Sequence, residues 1–187
     1  GEGVARRSGR GVDKVTVTTL LSEKELWDLY GKELVTRNVA AIQKLHHDVL
    51  HNVDGTKLEQ DLLPRVDRRV KKFDIVIFNF PHHGGKSKIQ VSQQLLQNFC
   101  VSASTVLSAN GAVLLSLTRT QTDVRIREDG SLEDYYSVPD RYNNSWKCIR
   151  NAAHAGLVLE AAVPFPTGIP GYRPTGRRNT TRGFMME

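Results

Sequence analysis

The stretch FDIVIFNFPHHGGK, residues 73–86, sets an asparagine, a phenylalanine, a proline and a histidine side by side at the end of an apolar run. The Asn79 carboxamide can donate and accept at once, so it can hold an N–H that lies beside a carbonyl. His82 carries an imidazole, whose ordinary pKa near neutrality suits it to take or return a proton. Pro81 fixes its own φ and stiffens the turn, and Phe80 offers a flat apolar face. Together these groups can grip the edge of a planar polar ligand and move a proton there. The plainer reading makes His82 and His83 turn residues that hydrogen-bond the backbone.

The run before this turn must position it. Residues 75–78 are continuously apolar and are followed at once by turn formers, the pattern of a strand buried on both faces in a parallel sheet. Ligands of open α/β sheets bind just beyond the carboxyl ends of the strands, where Asn79 and His82 fall. The β-branched KVTVTTLL, residues 14–21, reads as an earlier strand. Ser22 and Glu25 then form a capping box for a helix over 22–47, with Leu26, Tyr30, Leu34, Ala41, Ile42 and Leu45 at helical spacing. A short strand is expected over 49–53, ending at Asp54-Gly55-Thr56, and a weak helix over 57–70, broken at Pro64.

The central strand over 73–80 is followed by an amphipathic helix over 89–107, with Leu95, Leu96, Phe99, Ala103, Val106 and Leu107 on one stripe. Asn110-Gly111 reads as its stop signal, and 112–117 as another buried strand. Residues 118–144 form a long polar connection, of the kind that often carries function. A helix over 146–155 closed by Gly156 and a strand over 157–163 complete the predicted elements. Residues 1–13 and 164–187 hold too much glycine, proline or arginine for regular structure. Strands alternating with helices predict one α/β domain over 1–187, with a mainly parallel sheet, helices on both faces and an irregular basic tail at 164–187.

The chain has 187 residues, 39% of them hydrophobic and 25% charged, as expected of a soluble globular domain. No apolar stretch approaches the ~20 residues that a membrane span needs. The net charge is +6, and it is unevenly spread. Arg65, Arg68, Arg69, Lys71 and Lys72 stand against Asp67 alone, and Arg173, Arg177, Arg178 and Arg182 crowd the tail. One such run is as easily a solvated face; two on a basic domain point to a polyanion, RNA first. Cys100 and Cys148 lie far apart and predict free thiols in a reducing compartment. His47 and His51 are four apart but lack a third ligand, so no metal is expected. His83-Gly84-Gly85 has no G-x-S-x-G nucleophile to serve.

The string FDIVIFNFPHHGG resembles the F-D-x-I-x-F-N-F-P-H-x-G-G motif of the large-subunit rRNA (uridine-N3) methyltransferase-like family. The likeness runs along nearly the whole chain. Ser22-Glu23-Lys24-Glu25-Leu26 with Tyr30 and Asn38 is similar to the family's helix after its second strand, and Val53-Asp54-Gly55-Thr56-Lys57-Leu58 to its V-D-A-T-K-L. Leu95, Leu96, Phe99 and Gly111 resemble its next helix and strand. Tyr142 with Trp146, then Phe165, Pro170-Gly171-Tyr172 and Arg177-Arg178, resemble its Y…W and F…PGY…R elements.

The resemblance implies a Rossmann-like methyltransferase fold that uses S-adenosylmethionine to methylate uridine N3 in ribosomal RNA. Asn79, Phe80, Pro81 and His82 become the catalytic turn, with Asn79 gripping the uracil edge, His82 taking the N3 proton and Phe80 stacking on the base. Gly1, Glu2, Gly3 and Asp54 become the cofactor contacts, Asp54 accepting the adenine amino group. Tyr142, Trp146, Arg173, Arg177 and Arg178 become the RNA face, although tryptophan by residue type is more often a core anchor. Ribosomal RNA or a pre-ribosomal particle, with ribosomal or assembly proteins, are the implied partners; the nucleolus is the implied compartment and the mitochondrion its alternative.

The chain departs from the family pattern in two places. Val4-Ala5-Arg6-Arg7-Ser8 stands where the family has D-F-S-F-S after its glycine turn, and residues 4–13 are too few for its first helix. The first strand and first helix are therefore expected to be missing or altered, and a start on Gly-Glu-Gly rather than Met predicts a missing natural amino terminus. Leu21 occupies the position of an acid that would accept from the cofactor ribose, which leucine cannot do. These departures favour the alternative function, a catalytically inactive relative that binds RNA as a ribosome-assembly or ribosome-bound factor.

Overall fold

In the computed structural model, the residues described are 14–67, 69–70, 72–82, 88–118, 121–124, 126–127, 131 and 145–165. The chain divides into two compact units, Gly1–Val53 and Asp54–Glu187. In the first, β1 (Thr16–Thr19) is followed by α1 (Glu23–Tyr30), α2 (Lys32–Lys44) and β2 (Asp48–His51). The strands β1 and β2 pair in parallel, from Thr16 opposite Asp48 to Thr19 opposite His51. The capping box forms as expected: the Glu25 amide donates to Ser22 Oγ at 3.2 Å, and the Ser22 amide donates to Glu25 Oε2 at 2.8 Å. The Ser22 hydroxyl also donates to Glu25 Oε2 at 2.6 Å, and this bond first, then that from the Ser22 amide, hold the exposed Glu25 carboxyl below its usual pKa.

The single helix expected over 22–47 is two. Gly31 has φ 87°, a left-handed conformation that ends α1 as its amide donates to the Trp27 carbonyl at 2.9 Å. Apolar spacing persists across the break because α2 restarts at once. Of the residues in α1 and α2 only Val35 is buried, and Tyr30, Leu34 and Leu45 remain exposed.

In the second unit, short 3-10 turns over Gly55–Lys57 and Leu63–Arg65 flank α3 (Leu58–Asp61). Pro64 sits in the first turn of the latter, where its missing N–H costs no bond, so the expected interruption is seen. Then come β3 (Phe73–Asn79), α4 (Ile89–Val106), β4 (Leu107–Ser116) and α5 (Cys148–Ala153). The core is built on α4, which buries Ser92, Leu96, Phe99, Cys100, Ser102, Ala103 and Val106 along one face. Leu58, Leu62, Val66 and Trp146 are buried as well. The Phe78 ring packs on Phe99 with centroids 4.2 Å apart, which fastens one face of β3 to α4.

β3 and β4 pair in parallel, as an α/β fold requires. The other face of β3 is not buried: Ile75 is 48% and Ile77 56% exposed. The two-sided burial expected from the apolar run therefore fails, because apolar type sets a preference and only neighbouring elements can satisfy it. Asn110-Gly111 does not stop α4 either. The helix passes directly into β4 at Leu107, and 108–111 form a shift in register between the Phe73–Leu107 and Ile75–Ala112 pairs. A Cβ on Gly111 would lie 3.0 Å from the Ser108 carbonyl oxygen and 3.1 Å from that of Asp74, so the glycine is required by close backbone approach. Residues 157–163, expected as a strand, form no strand; Val158 is 89% exposed, with no partner strand beside it among the described residues.

Candidate functional site

Asn79 is the last residue of β3, directly opposite Ser116, the last residue of β4. Counted on from the Phe73–Leu107 pair without the shift, Asn79 would face Val113 instead. The shift thus brings a hydroxyl to the carboxamide, and Ser116 Oγ donates to Asn79 Oδ1 at 2.7 Å. The next amide, Phe80 N–H, donates to the Ser116 carbonyl at 2.9 Å. One serine therefore holds both the side chain and the backbone of the turn.

Phe80 has φ 48°. For a residue with a Cβ that conformation costs ~1–2 kcal/mol, and it persists only where surroundings over-determine it. The bond to Ser116 is one such constraint, and ring contact is another: Phe80 meets Phe165 with centroids 5.2 Å apart and planes tilted by 57°. Pro81 is buried, while Asn79 and His82 are exposed. The turn is rigid at its base and open at its two polar side chains. Ser116 and Phe165 were not among the residues singled out for this site. A polar residue ending an apolar strand was the available signal for Ser116, but its meaning depends on strand register.

Asp54 caps the 3-10 turn after β2. Its Oδ1 accepts from the Thr56 amide at 2.9 Å and the Thr56 hydroxyl at 2.8 Å. The Asp54 amide donates to Asp61 Oδ2 at 3.0 Å. Oδ2 of Asp54 has no protein donor among the described residues, so this carboxylate keeps one acceptor for an amino group and fits that part of the cofactor assignment. Leu21 offers only its backbone carbonyl, which accepts from Thr19 Oγ1 at 2.8 Å. Gly1, Glu2, Gly3, Tyr142, Arg173, Arg177 and Arg178 lie outside the described residues.

Trp146 is 5% exposed, the core placement that its residue type favours; its carbonyl accepts from Asn151 Nδ2 at 2.7 Å. In the basic run before β3, Arg69 pairs with Asp67 at 3.0 Å, the hydrogen bond to Asp67 raising its pKa further. Lys72 Nζ donates to the Thr105 carbonyl near the end of α4, a favourable place for a cation. Those two charges are partly committed within the chain.

Both cysteines are free. Burial pushes the Cys100 thiol up to about 11. Burial first, and then the neighbouring Asp123 carboxylate, push Cys148 to about 11. Cys148 Sγ–H donates to Asp123 Oδ1, which also accepts the Cys148 amide at 2.9 Å. No group of three or more potential metal ligands occurs among the described residues. No helix among them is long and apolar enough to cross a membrane.

A mixed α/β chain with parallel strands, ending one of them in an exposed Asn-x-Pro-His turn, is the class that these elements define. The chain belongs to the family described as rRNA (uridine-N3-)-methyltransferase BTM5-like, which matches residues 3–176. It is 32% identical over 95% of its length to the mouse ferredoxin-fold anticodon-binding domain-containing protein 1 homolog, and 30% identical over 94% to the human protein of that name. It covers 26% of each of those relatives, about a quarter of their length. An Arabidopsis thaliana protein, heavy metal-associated isoprenylated plant protein 41, is 39% identical over 42% of the chain and 16% of the relative. No solved structure matches.

Proposed function

We propose that this chain is the catalytic part of a Rossmann-like, S-adenosylmethionine-dependent methyltransferase that acts on uridine N3 in ribosomal RNA. The observation that carries this reading is the strand-end turn, in which Asn79 is exposed, oriented by Ser116 and followed by a strained Phe80, in a chain of this family. Backbone strain concentrates where geometry must be exact for function. S-adenosylmethionine, when bound, supplies an electrophilic methyl group on a sulfonium, and Asp54 Oδ2 would accept from its adenine amino group.

The protein's own residues do the rest. An unpaired or flipped-out uracil stacks against Phe80. Asn79 binds the edge that carries N3, holding the nitrogen in line for transfer. His82 accepts the N3 proton, so the nitrogen lone pair is released as the new bond forms. The basic tail, with Arg173, Arg177 and Arg178, holds the phosphates, which aligns the strand and makes binding salt-dependent.

A second reading is kept because Leu21 lacks the carboxylate that would bind a ribose: an RNA-binding assembly factor without turnover. Asn79→Ala in the full-length protein separates the two. The first reading expects methyl transfer to ribosomal RNA to vanish while circular dichroism stays unchanged. Absence of S-adenosylmethionine binding by calorimetry, in a folded full-length sample, would refute the first reading and favour the second.

A further inference from the structure

We infer that Ser116 is a positioning residue that turns Asn79 into a directed hydrogen-bond donor, and so matches the turn to a base whose target nitrogen lies beside a carbonyl oxygen. This rests on the reading of the turn as the acceptor site.

A carboxamide end is ambiguous. Its terminal torsion is broad and roughly two-fold, so an exposed asparagine can present either its oxygen or its NH2 group. At Asn79 the neighbouring Ser116 hydroxyl selects between the two ends, since a hydroxyl that donates holds the oxygen and one that accepts holds the NH2 group. In the structure the Ser116 hydroxyl is the donor, and Oδ1 accepts from it at 2.7 Å. With Oδ1 drawn towards β4, Nδ2 is the end left to a ligand, and it has no acceptor among the described residues. The Ser116 carbonyl simultaneously takes the Phe80 amide at 2.9 Å, so the side chain and the following residue are referenced to one point.

The consequence is chemical. A target presenting an exocyclic amino group would meet another donor and be repelled. A ring N–H flanked by a carbonyl meets the complementary group. When that ring N–H gives up its proton to His82, negative charge spreads from the nitrogen onto the carbonyl oxygen, where a preorganised donor lowers the barrier. The balance is simple: the N–C bond forms as the S–C bond breaks, the sulfur keeps the bonding pair as a neutral thioether, and the proton leaves on the imidazole. Ser116 touches none of these atoms and acts through Asn79.

The test uses the full-length protein with 15N-labelled asparagine. Side-chain relaxation of Asn79 is expected to report a rigid NH2 group in the native protein, a mobile one in Ser116→Ala and a rigid one again in Ser116→Thr, which keeps the hydroxyl. Equal mobility in the native protein and Ser116→Ala overturns the inference. With a single-stranded oligouridylate substrate, kcat is expected to fall roughly tenfold in Ser116→Ala, with KM changed less than about twofold, and to recover in Ser116→Thr. A matching rise in KM alone, or no recovery with threonine, also overturns it. Asn79→Asp, an isostere that only accepts, is expected to lose transfer as fully as Asn79→Ala; retained transfer refutes the donor role. If the native protein transfers no methyl group, the functional reading fails by itself, while the relaxation measurements still decide whether Ser116 orients Asn79.

Discussion

Gly111→Ala tests whether the register shift in β4 is what assembles the turn. The new Cβ would lie 2.8 Å from Leu107 Cδ2, 3.0 Å from the Ser108 oxygen and 3.1 Å from the Asp74 oxygen. The leucine methyl can swing away, but the two carbonyl oxygens belong to the backbones of β4 and β3 and would have to shift by a few tenths of an ångström. Forcing a methyl group into packed surroundings costs typically ~1–3 kcal/mol. Replacing glycine also restricts the unfolded chain, which returns ~0.4–1 kcal/mol. The net expectation is a loss of about 1–2 kcal/mol. With a urea slope of ~1–3 kcal/mol/M, that is a fall in midpoint of about 0.3–2 M. Gly55→Ala is the control, since its Cβ would meet only the Phe99 ring at an ordinary 3.5 Å, so the unfolded-chain effect alone should stabilise it by ~0.4–1 kcal/mol. Because residues 108–111 also set Asn79 opposite Ser116, the Asn79 side-chain resonances should move in Gly111→Ala and not in Gly55→Ala. An alanine variant as stable as the native protein would refute the claim that this glycine is there for close approach.

The thiols supply a pH test. Both are pushed to about 11 in the folded chain, above the ~8.5 of an unfolded cysteine. The folded protein therefore holds these protons more tightly, and the stabilisation is whole below that ordinary value and lost as pH rises towards 11; urea midpoints from pH 8 to 11 should show the decline. At pH 8 both thiols should react with a disulfide reagent more than roughly a hundredfold slower than in denaturant. Asp123→Asn should speed Cys148 alone, since burial remains but the neighbouring negative charge is gone. On the RNA side, changing Arg177 and Arg178 together to alanine should flatten the slope of log affinity against log salt by roughly two phosphate contacts; an unchanged slope places them off the RNA.

Local signals were legible where a few adjacent residues decide the outcome. Ser22 and Glu25 cap a helix because the bonds they make span three residues, and α4 was readable because its stripe extends over many turns. The failures share a cause. Gly31 splits a periodic run without disturbing its spacing, and Asn110-Gly111 has a turn-like composition that is used instead to reset a strand. Residues 157–163 have strand-like side chains but no strand beside them, since β-propensity describes fitness for a neighbour and not a neighbour's presence.

The amino-acid order by itself determined the family, the parallel α/β character and the identity of the turn, because those follow from contiguous residue types and short-range periodicity. Only the tertiary structure decided that Ser116 faces Asn79, that Phe80 is held left-handed against Phe165, and that Trp146 lies in the core. Such relations join residues tens of positions apart through strand register and packing. A single shift of three residues in β4 would leave every local pattern intact and yet put Val113, which has no hydrogen to offer, beside the carboxamide.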